Sequence, residues 1–224
     1  MNRDLEAPEI RALPASVVNK IAAGEVIERP ASVVKELLEN AVDAGATHID
    51  VTVEQGGSAL VRVSDNGCGI RADQLPLAVA SHATSKISQA DDLFQVRSLG
   101  FRGEALASMA EVSQLLLRSR VAAAPAGAEL EVTGGRVGTV RPCGCPVGTT
   151  LEVRQLFFNT PVRRKFLRTT QTEIGHTVEA FTRIALACPD NAIPLRHNDR
   201  VLYDLPTVDR WVERIRALFV AELG

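Results

Sequence analysis

Residues 30–65 read PASVVKELLENAVDAGATHIDVTVEQGGSALVRVSD, and the reading of this stretch decides the fold class. Its first half has helical period: Val33, Val34, Leu37, Leu38, Ala41 and Val42 share one face. Pro30 suits the first turn of a helix, and Gly45 suits the left-handed cap past its end. The second half switches to a period of two. Ile49, Val51 and Val53 alternate, Gly56-Gly57 turns the chain, and Val61, Val63 and Asp65 alternate again, which predicts a hairpin.

Working outward, residues 14–24 read as a short helix between Pro14 and Gly24, and 72–81 as another. Residues 82–103 are polar, glycine-containing and weakly periodic, and read as a long loop. A helix starts near Glu104 and carries Leu106 and Met109. Strands are expected at 114–120, 128–133, 136–141 and 149–155, with 122–127 as a hairpin tip. Residues 170–188 form an amphipathic helix ended by Pro189, and a strand pair follows at 193–197 and 200–203. The last helix spans 207–223, with Trp211, Ile215, Leu218 and Phe219 as its stripe. Antiparallel strands mixed with helices, without strict βαβ alternation, predict an α+β two-layer sandwich.

The 224 residues carry 25 Lys+Arg against 27 Asp+Glu, a net charge of −2, and 46% are apolar. That balance excludes disorder as the main state and gives no global case for nucleic-acid binding. No apolar run reaches the ~18 residues of a membrane span, and the N-terminus lacks signal architecture, so a cytoplasmic location is expected. Cys143-Gly-Cys145 is too tight for zinc spacing, and the four cysteines read as free thiols. Lysine is scarce: Lys20, Lys35, Lys86 and Lys165 are the whole set.

The polar face of the 30–45 helix is unusual. Glu36, Glu39, Asn40 and Asp43 fall within a sector of about 100°. On charge alone such a face is a solvated surface, but only Lys35 offers local compensation, and no basic residue lies at helical spacing from Glu36 or Asp43. Acids beside a carboxamide are what a magnesium site with a nearby general base requires. Asp65 shares a strand face with Val61 and Val63 and should therefore point inward. A buried carboxylate is costly unless a donor meets it. Asn66-Gly67-Cys68-Gly69-Ile70 follows, good turn chemistry whose glycines also permit close approach to a flat ligand. Gly100-Phe101-Arg102-Gly103-Glu104 opens a helix and can wrap a phosphate, though it is neither a Walker A loop nor a dinucleotide fingerprint. In Gly148-Thr149-Thr150 a hydroxyl at a strand start could serve the same ligand as Asp65, although threonine is common in strands and the motif alone is uninformative.

Taken in order, Glu36-x-x-x-Asn40, Asp65-Asn-Gly-Cys-Gly69, Gly100-Phe-Arg-Gly-Glu-Ala-Leu106 and Gly148-Thr-Thr150 resemble the four ATP-binding motifs of the GHKL superfamily. That superfamily includes gyrase-type topoisomerases, the ninety-kilodalton heat-shock chaperones, sensor histidine kinases and MutL mismatch-repair proteins. The wording of residues 21–38, of His82-Ala-Thr-Ser-Lys86, of 99–106 and of Phe158-Asn-Thr-Pro-Val-Arg-Arg-Lys-Phe-Leu167 resembles MutL in particular. The resemblance covers about residues 10–205. It implies the Bergerat fold, a mixed, mostly antiparallel sheet under helices, with ATP and Mg²⁺ as ligands. It implies Glu36 as general base and Asn40 as the Mg²⁺ ligand, with Asp43 beside it. Asp65 would accept the adenine amino group with help from Thr149, and Gly67, Gly69 and Ile70 would pack at the base. Thr84, Ser85, Lys86, Gly100, Phe101, Arg102, Gly103 and Glu104 would form a lid over the phosphates.

The same resemblance implies a slow ATPase in which ATP binding closes the lid and drives dimerisation, and hydrolysis resets it. The partners it implies are a MutS-like mismatch-recognition protein and a downstream repair nuclease or helicase. Arg163, Arg164, Lys165 and Arg168 are the densest basic cluster, read equally as weak DNA phosphate contacts or as a solvated patch. The expected division is a loose tail over 1–12, an ATP-binding domain over 13–205, and the start of a following, transducer-like region over 206–224. Because MutL-like proteins take a phosphate-contacting lysine from the next domain, weak or absent turnover is expected here, and a fragment that only binds nucleotide or partner is the alternative.

Overall fold

In a computed structural model, residues 11–86, 99 and 103–219 are described. Helices α1 (Ala15–Val26) and α2 (Pro30–Asp43) lead into strands β1 (Ile49–Glu54) and β2 (Leu60–Asp65), then the one-turn helix α3 (Leu75–Ala78) and α4 (Ala105–Val112). Strands β3 (Gln114–Arg120), β4 (Gly127–Thr133), β5 (Arg136–Val137), β6 (Arg141–Cys143) and β7 (Gly148–Arg154) follow. Then come α5 (Pro161–Phe166), α6 (Thr170–Ala187), β8 (Ile193–His197), β9 (Arg200–Leu205) and α7 (Trp211–Phe219).

Among the described residues the strands form one sheet in the order β5-β4-β3-β7-β2-β1-β8-β9, with β6 also on β4. Every pairing is antiparallel except β1 with β8. This is the α+β sandwich that the pattern predicts. The register stacks the inner face in rungs. Val53, Val61, Val153, Leu115 and Val132 form one; Val51, Val63, Leu151, Leu117 and Leu130 form the next. Both rungs are buried, under the apolar faces of α2 and α4, with α6 packed against α2. The opposite face is polar: Arg62 donates to Thr52, Ser64 meets Thr150 at 2.8 Å, and Arg118 donates to Glu129.

The end of α2 is a six-to-one cap. Gly45, at φ +71°, donates to the Val42 carbonyl, and the Ala46 N–H reaches the Ala41 carbonyl at 3.1 Å. Elsewhere the structure departs from the sequence expectations. Helix α1 runs through Gly24 to Val26, and the Arg163 guanidinium lies directly over that glycine, where a Cβ would collide with it. The expected helix over 72–81 is a 3₁₀ turn at 72–74 followed by α3, because Pro76 has no N–H to carry the ladder through. The strand expected at 136–141 is split between β5 and β6. Val137 faces Val132 while Arg141 faces Glu129, so one extra residue bulges between them. The last helix starts at Trp211 rather than 207. Helix α5 had no helical expectation; its signal was Pro161 in the first turn.

Candidate functional site

The third inner rung breaks the apolar series. It reads Ile49, Asp65, Thr149, Ser119 and Ala128, so three polar side chains stand side by side on β2, β7 and β3. They sit where the sheet opens into a large cleft between α2 and the segments after β2 and before α4, lined among others by Val63, Asp65, Ile70 and Thr149. Asp65 Oδ1 accepts the Gly67 N–H at 2.8 Å, and the Thr149 backbone also donates to the carboxylate. Burial pushes its carboxyl above the ordinary aspartate range, with those two hydrogen bonds working against the shift. Ser119 is fully buried. Its Oγ accepts the Ile70 N–H at 2.7 Å, donates to the Gly148 carbonyl at 2.8 Å and lies 3.0 Å from Thr149 Oγ1.

Three glycines let the backbone close up here. Gly69, at φ +73°, has no room for a Cβ, which would lie 2.2 Å from the Arg120 carbonyl oxygen. Gly148, at φ +119°, sits against the Asp65 carbonyl in the same way. Gly67 is packed under Ala44, behind the cleft wall rather than in it.

The α2 stripe forms the facing wall. Lys35 donates to Glu36 at 3.1 Å and to Glu39 at 2.9 Å. Burial pulls the Lys35 ammonium down, but its hydrogen bonds and attraction to Glu39 and Glu36 outweigh this and leave it above an ordinary lysine. Lys35 is the local compensation visible in the sequence, and it also reaches Glu36, which helical spacing left unpaired. Lys86 arrives from far along the chain, donating to Asn40 Oδ1 at 2.9 Å and to Asp43 Oδ2 at 2.5 Å. The Leu99 N–H donates to the other Asp43 oxygen at 3.0 Å. Thr84 Oγ1 accepts the Lys86 N–H, His82 pairs with Glu104, and Gly103 at φ +64° lies against Ala83.

One cleft thus gathers Glu36, Asn40, Asp43, Asp65, Gly69, Ile70, Thr84, Ser85, Lys86, Gly103, Glu104 and Thr149. Gly100, Phe101 and Arg102 lie outside the described residues. The basic cluster is elsewhere: Arg164 and Arg168 line a separate small hollow with Glu173, and Arg163 covers α1. Sequence reasoning did not find Ser119. Its only signal is the β3–β7 register, which joins residues 30 apart and is invisible before the strand order is known.

Residues 25–155 match the family model of histidine kinase-, DNA gyrase B- and HSP90-like ATPases. The solved MutL ATPase domain of Aquifex aeolicus, complexed with ADP, superposes with a TM-score of 0.70 at 37% identity, covering 87% of this chain and 70% of that one. The chain belongs to the MutL family of these ATPases. The DNA mismatch repair protein MutL of Syntrophotalea carbinolica is 52% identical over 214 residues, which is 96% of this chain and 34% of the relative. MutL of Escherichia coli O17:K52:H18 is 54% identical over 210 residues, 93% of this chain and 34% of its own length. The chain therefore spans about a third of the curated MutL relatives it matches. Among the described residues, no helix is long and apolar enough to cross a membrane.

Proposed function

We propose that this chain binds ATP in the cleft and hydrolyses it slowly, as the nucleotide-driven region of a cytoplasmic MutL-like mismatch repair protein. The observation that carries this reading is the pairing, in one cleft, of an inward carboxylate on a polar sheet rung with an acid–carboxamide stripe on α2. Asp65 would take the exocyclic amino group of adenine, with Thr149 assisting through water. Gly69 and Ile70 would let the base lie flat against the backbone, and Gly67 would hold the Asp65 carboxylate through its N–H. Glu36 would remove the proton of the attacking water, an effect worth roughly 10²–10⁴-fold.

Asn40 and Asp43 already direct oxygens at one cationic nitrogen, Lys86 Nζ, which is the donor chemistry a hard cation requires. No cluster of three or more His, Cys, Asp or Glu that would hold a metal is found among the described residues, so Asn40 would hold Mg²⁺ together with the ligand's phosphates. Bound there, Mg²⁺ would neutralise charge on the phosphates. Lys86, Thr84 and Ser85, with the 100–103 loop and Glu104, would close over them. Nucleotide-driven closure would favour a dimer of two such chains and coupling to a MutS-like protein and a repair nuclease or helicase. The Arg163, Arg164, Lys165 and Arg168 cluster would give at most a weak, salt-sensitive DNA contact. Residues 13–205 would be the ATP-binding unit and 206–224 the lead into a following region.

The test is calorimetric titration with ATP, with and without Mg²⁺, followed by steady-state ADP release. Tight binding and slow release are expected, and Glu36→Ala keeps the binding while losing the release. Wild-type release by that variant would sink the role of Glu36. Binding with no release at all would favour the second reading, a nucleotide-holding region whose turnover needs more of the protein. That reading draws on the one-third coverage of its relatives.

A further inference from the structure

The geometry points to Ser119 as the residue that fixes which way the Thr149 hydroxyl faces, and so makes the site select a base bearing an amino group over one bearing a carbonyl at the same position. This rests on the nucleotide reading above and deepens it. A serine hydroxyl has one proton and two lone pairs. Ser119 Oγ has three partners: the Ile70 N–H at 2.7 Å, the Gly148 carbonyl at 2.8 Å and Thr149 Oγ1 at 3.0 Å. The amide of Ile70 can only donate, and the carbonyl of Gly148 can only accept. Ser119 therefore spends one lone pair on Ile70 and its proton on Gly148. The other lone pair remains for Thr149, so the Thr149 proton points at Ser119.

The opposite arrangement sends the Ser119 proton to Thr149. It leaves two oxygens 2.8 Å apart with no proton between them, in a place without access to water. Burial of Ser119, at 1% exposure, removes solvent as an alternative partner.

At this edge the Thr149 hydroxyl and the Asp65 carboxylate then offer the cleft lone pairs only. Thr149 offers an oxygen whose proton is turned away, and Asp65 beside it offers a carboxylate whose Oδ1 is steadied by Gly67. An acceptor–acceptor edge receives the amino group of adenine. It repels the carbonyl oxygen of a 6-oxopurine, and a buried polar mismatch of that kind discriminates strongly. Ser119 touches no ligand in this scheme. It is a positioning residue, and its hydrogen bond to Ile70 also ties the loop after β2 to the same setting.

The experiment compares ATP with inosine triphosphate, which replaces the amino group by a carbonyl, in calorimetric titrations of the wild-type chain and of Ser119→Ala. Wild type is expected to prefer ATP by at least tenfold. In Ser119→Ala the Thr149 hydroxyl can rotate and donate, so the preference should shrink by about tenfold. A purely structural role would weaken both nucleotides together and leave the ratio where it was; that result overturns the proposal. Thr149→Val, which removes the hydroxyl, should shift the ratio too, and the double variant should shift it no further than Thr149→Val alone; additive shifts also overturn the proposal. If Ser119→Ala fails to fold by circular dichroism, Ser119→Cys, nearly the same shape with a weaker donor, replaces it and must reduce the ratio. A wild-type chain that binds neither nucleotide overturns the nucleotide reading itself. One that binds ATP with a ratio unmoved by the variants overturns only the role of Ser119.

Discussion

Burial holds the Asp65 carboxyl above the usual aspartate range, although Gly67 and Thr149 both donate to it. A carboxyl whose folded value is raised binds its proton more tightly in the native state, so its ionisation costs stability above that value and the cost disappears as pH falls through it. Asp65→Asn is therefore expected to raise the melting temperature of the nucleotide-free chain at pH 7, with a gain that shrinks on acidification, while ATP binding is lost in calorimetry. Undiminished ATP affinity in that variant would refute the adenine role. For the same reason, ATP affinity of the wild-type chain should fall on acidification at a higher pH than an ordinary aspartate would dictate, which a series of titrations across the acid range would reveal. The inward direction of Asp65 was legible from alternation with Val61 and Val63. Thr149 was legible only as a strand-start hydroxyl suited to the same ligand, and Ser119 was not legible at all, because β2 and β3 are brought to either side of one strand only when β7 inserts between them.

Helices and turns sort by how closely the sequence states their ends. Helix α2 carries both punctuation marks, Pro30 and Gly45, and the structure places its bounds where they stand. Helix α1 carries a glycine that is not an end, because the backbone there stays right-handed and the missing Cβ makes room for Arg163. That use of glycine depends on a partner 139 residues away and has no local signature. The positive-φ glycines differ in the same way. Gly45→Ala meets no neighbouring atom, so only the left-handed backbone opposes it, at about 1–2 kcal/mol. Gly69→Ala adds a collision with the Arg120 carbonyl. It is expected to cost clearly more by urea denaturation and to displace the loop that Ser119 holds, with weakened ATP binding; equal costs for the two variants would count against this packing. The compensation of the α2 stripe by Lys86 belongs to this scale as well, since helical spacing finds partners three or four residues away and not 43.

Across the whole molecule, helix α7 is attached by two buried side chains, Leu218 in the core and Arg214. Arg214 is 1% exposed and donates through Nη2 to the Pro189 carbonyl at 2.8 Å and the Asn191 carbonyl at 2.6 Å. Burial pulls its guanidinium below the ordinary arginine range. Arg214→Ala is expected to lower stability by roughly 2–3 kcal/mol and to hasten proteolysis between β9 and α7, with nucleotide affinity unchanged. An affinity that fell together with stability would show α7 and the cleft to be one cooperative unit. The sandwich class was readable from patterning alone, whereas the strand order was not, because alternation says which face a residue takes and nothing about which strand lies beside it. The parallel pairing of β1 with β8 is the plainest instance, and it bears on how the chain is made. Strand β1 acquires its hairpin partner at once, but its other edge waits for residues 193–197, about 140 positions later. At a ribosome's 5–20 residues per second, that unpaired edge stays open for roughly 7–30 s. During synthesis, then, the strand that ends up near the middle of the finished sheet is a border, and whatever guards nascent chains from one another must guard this one.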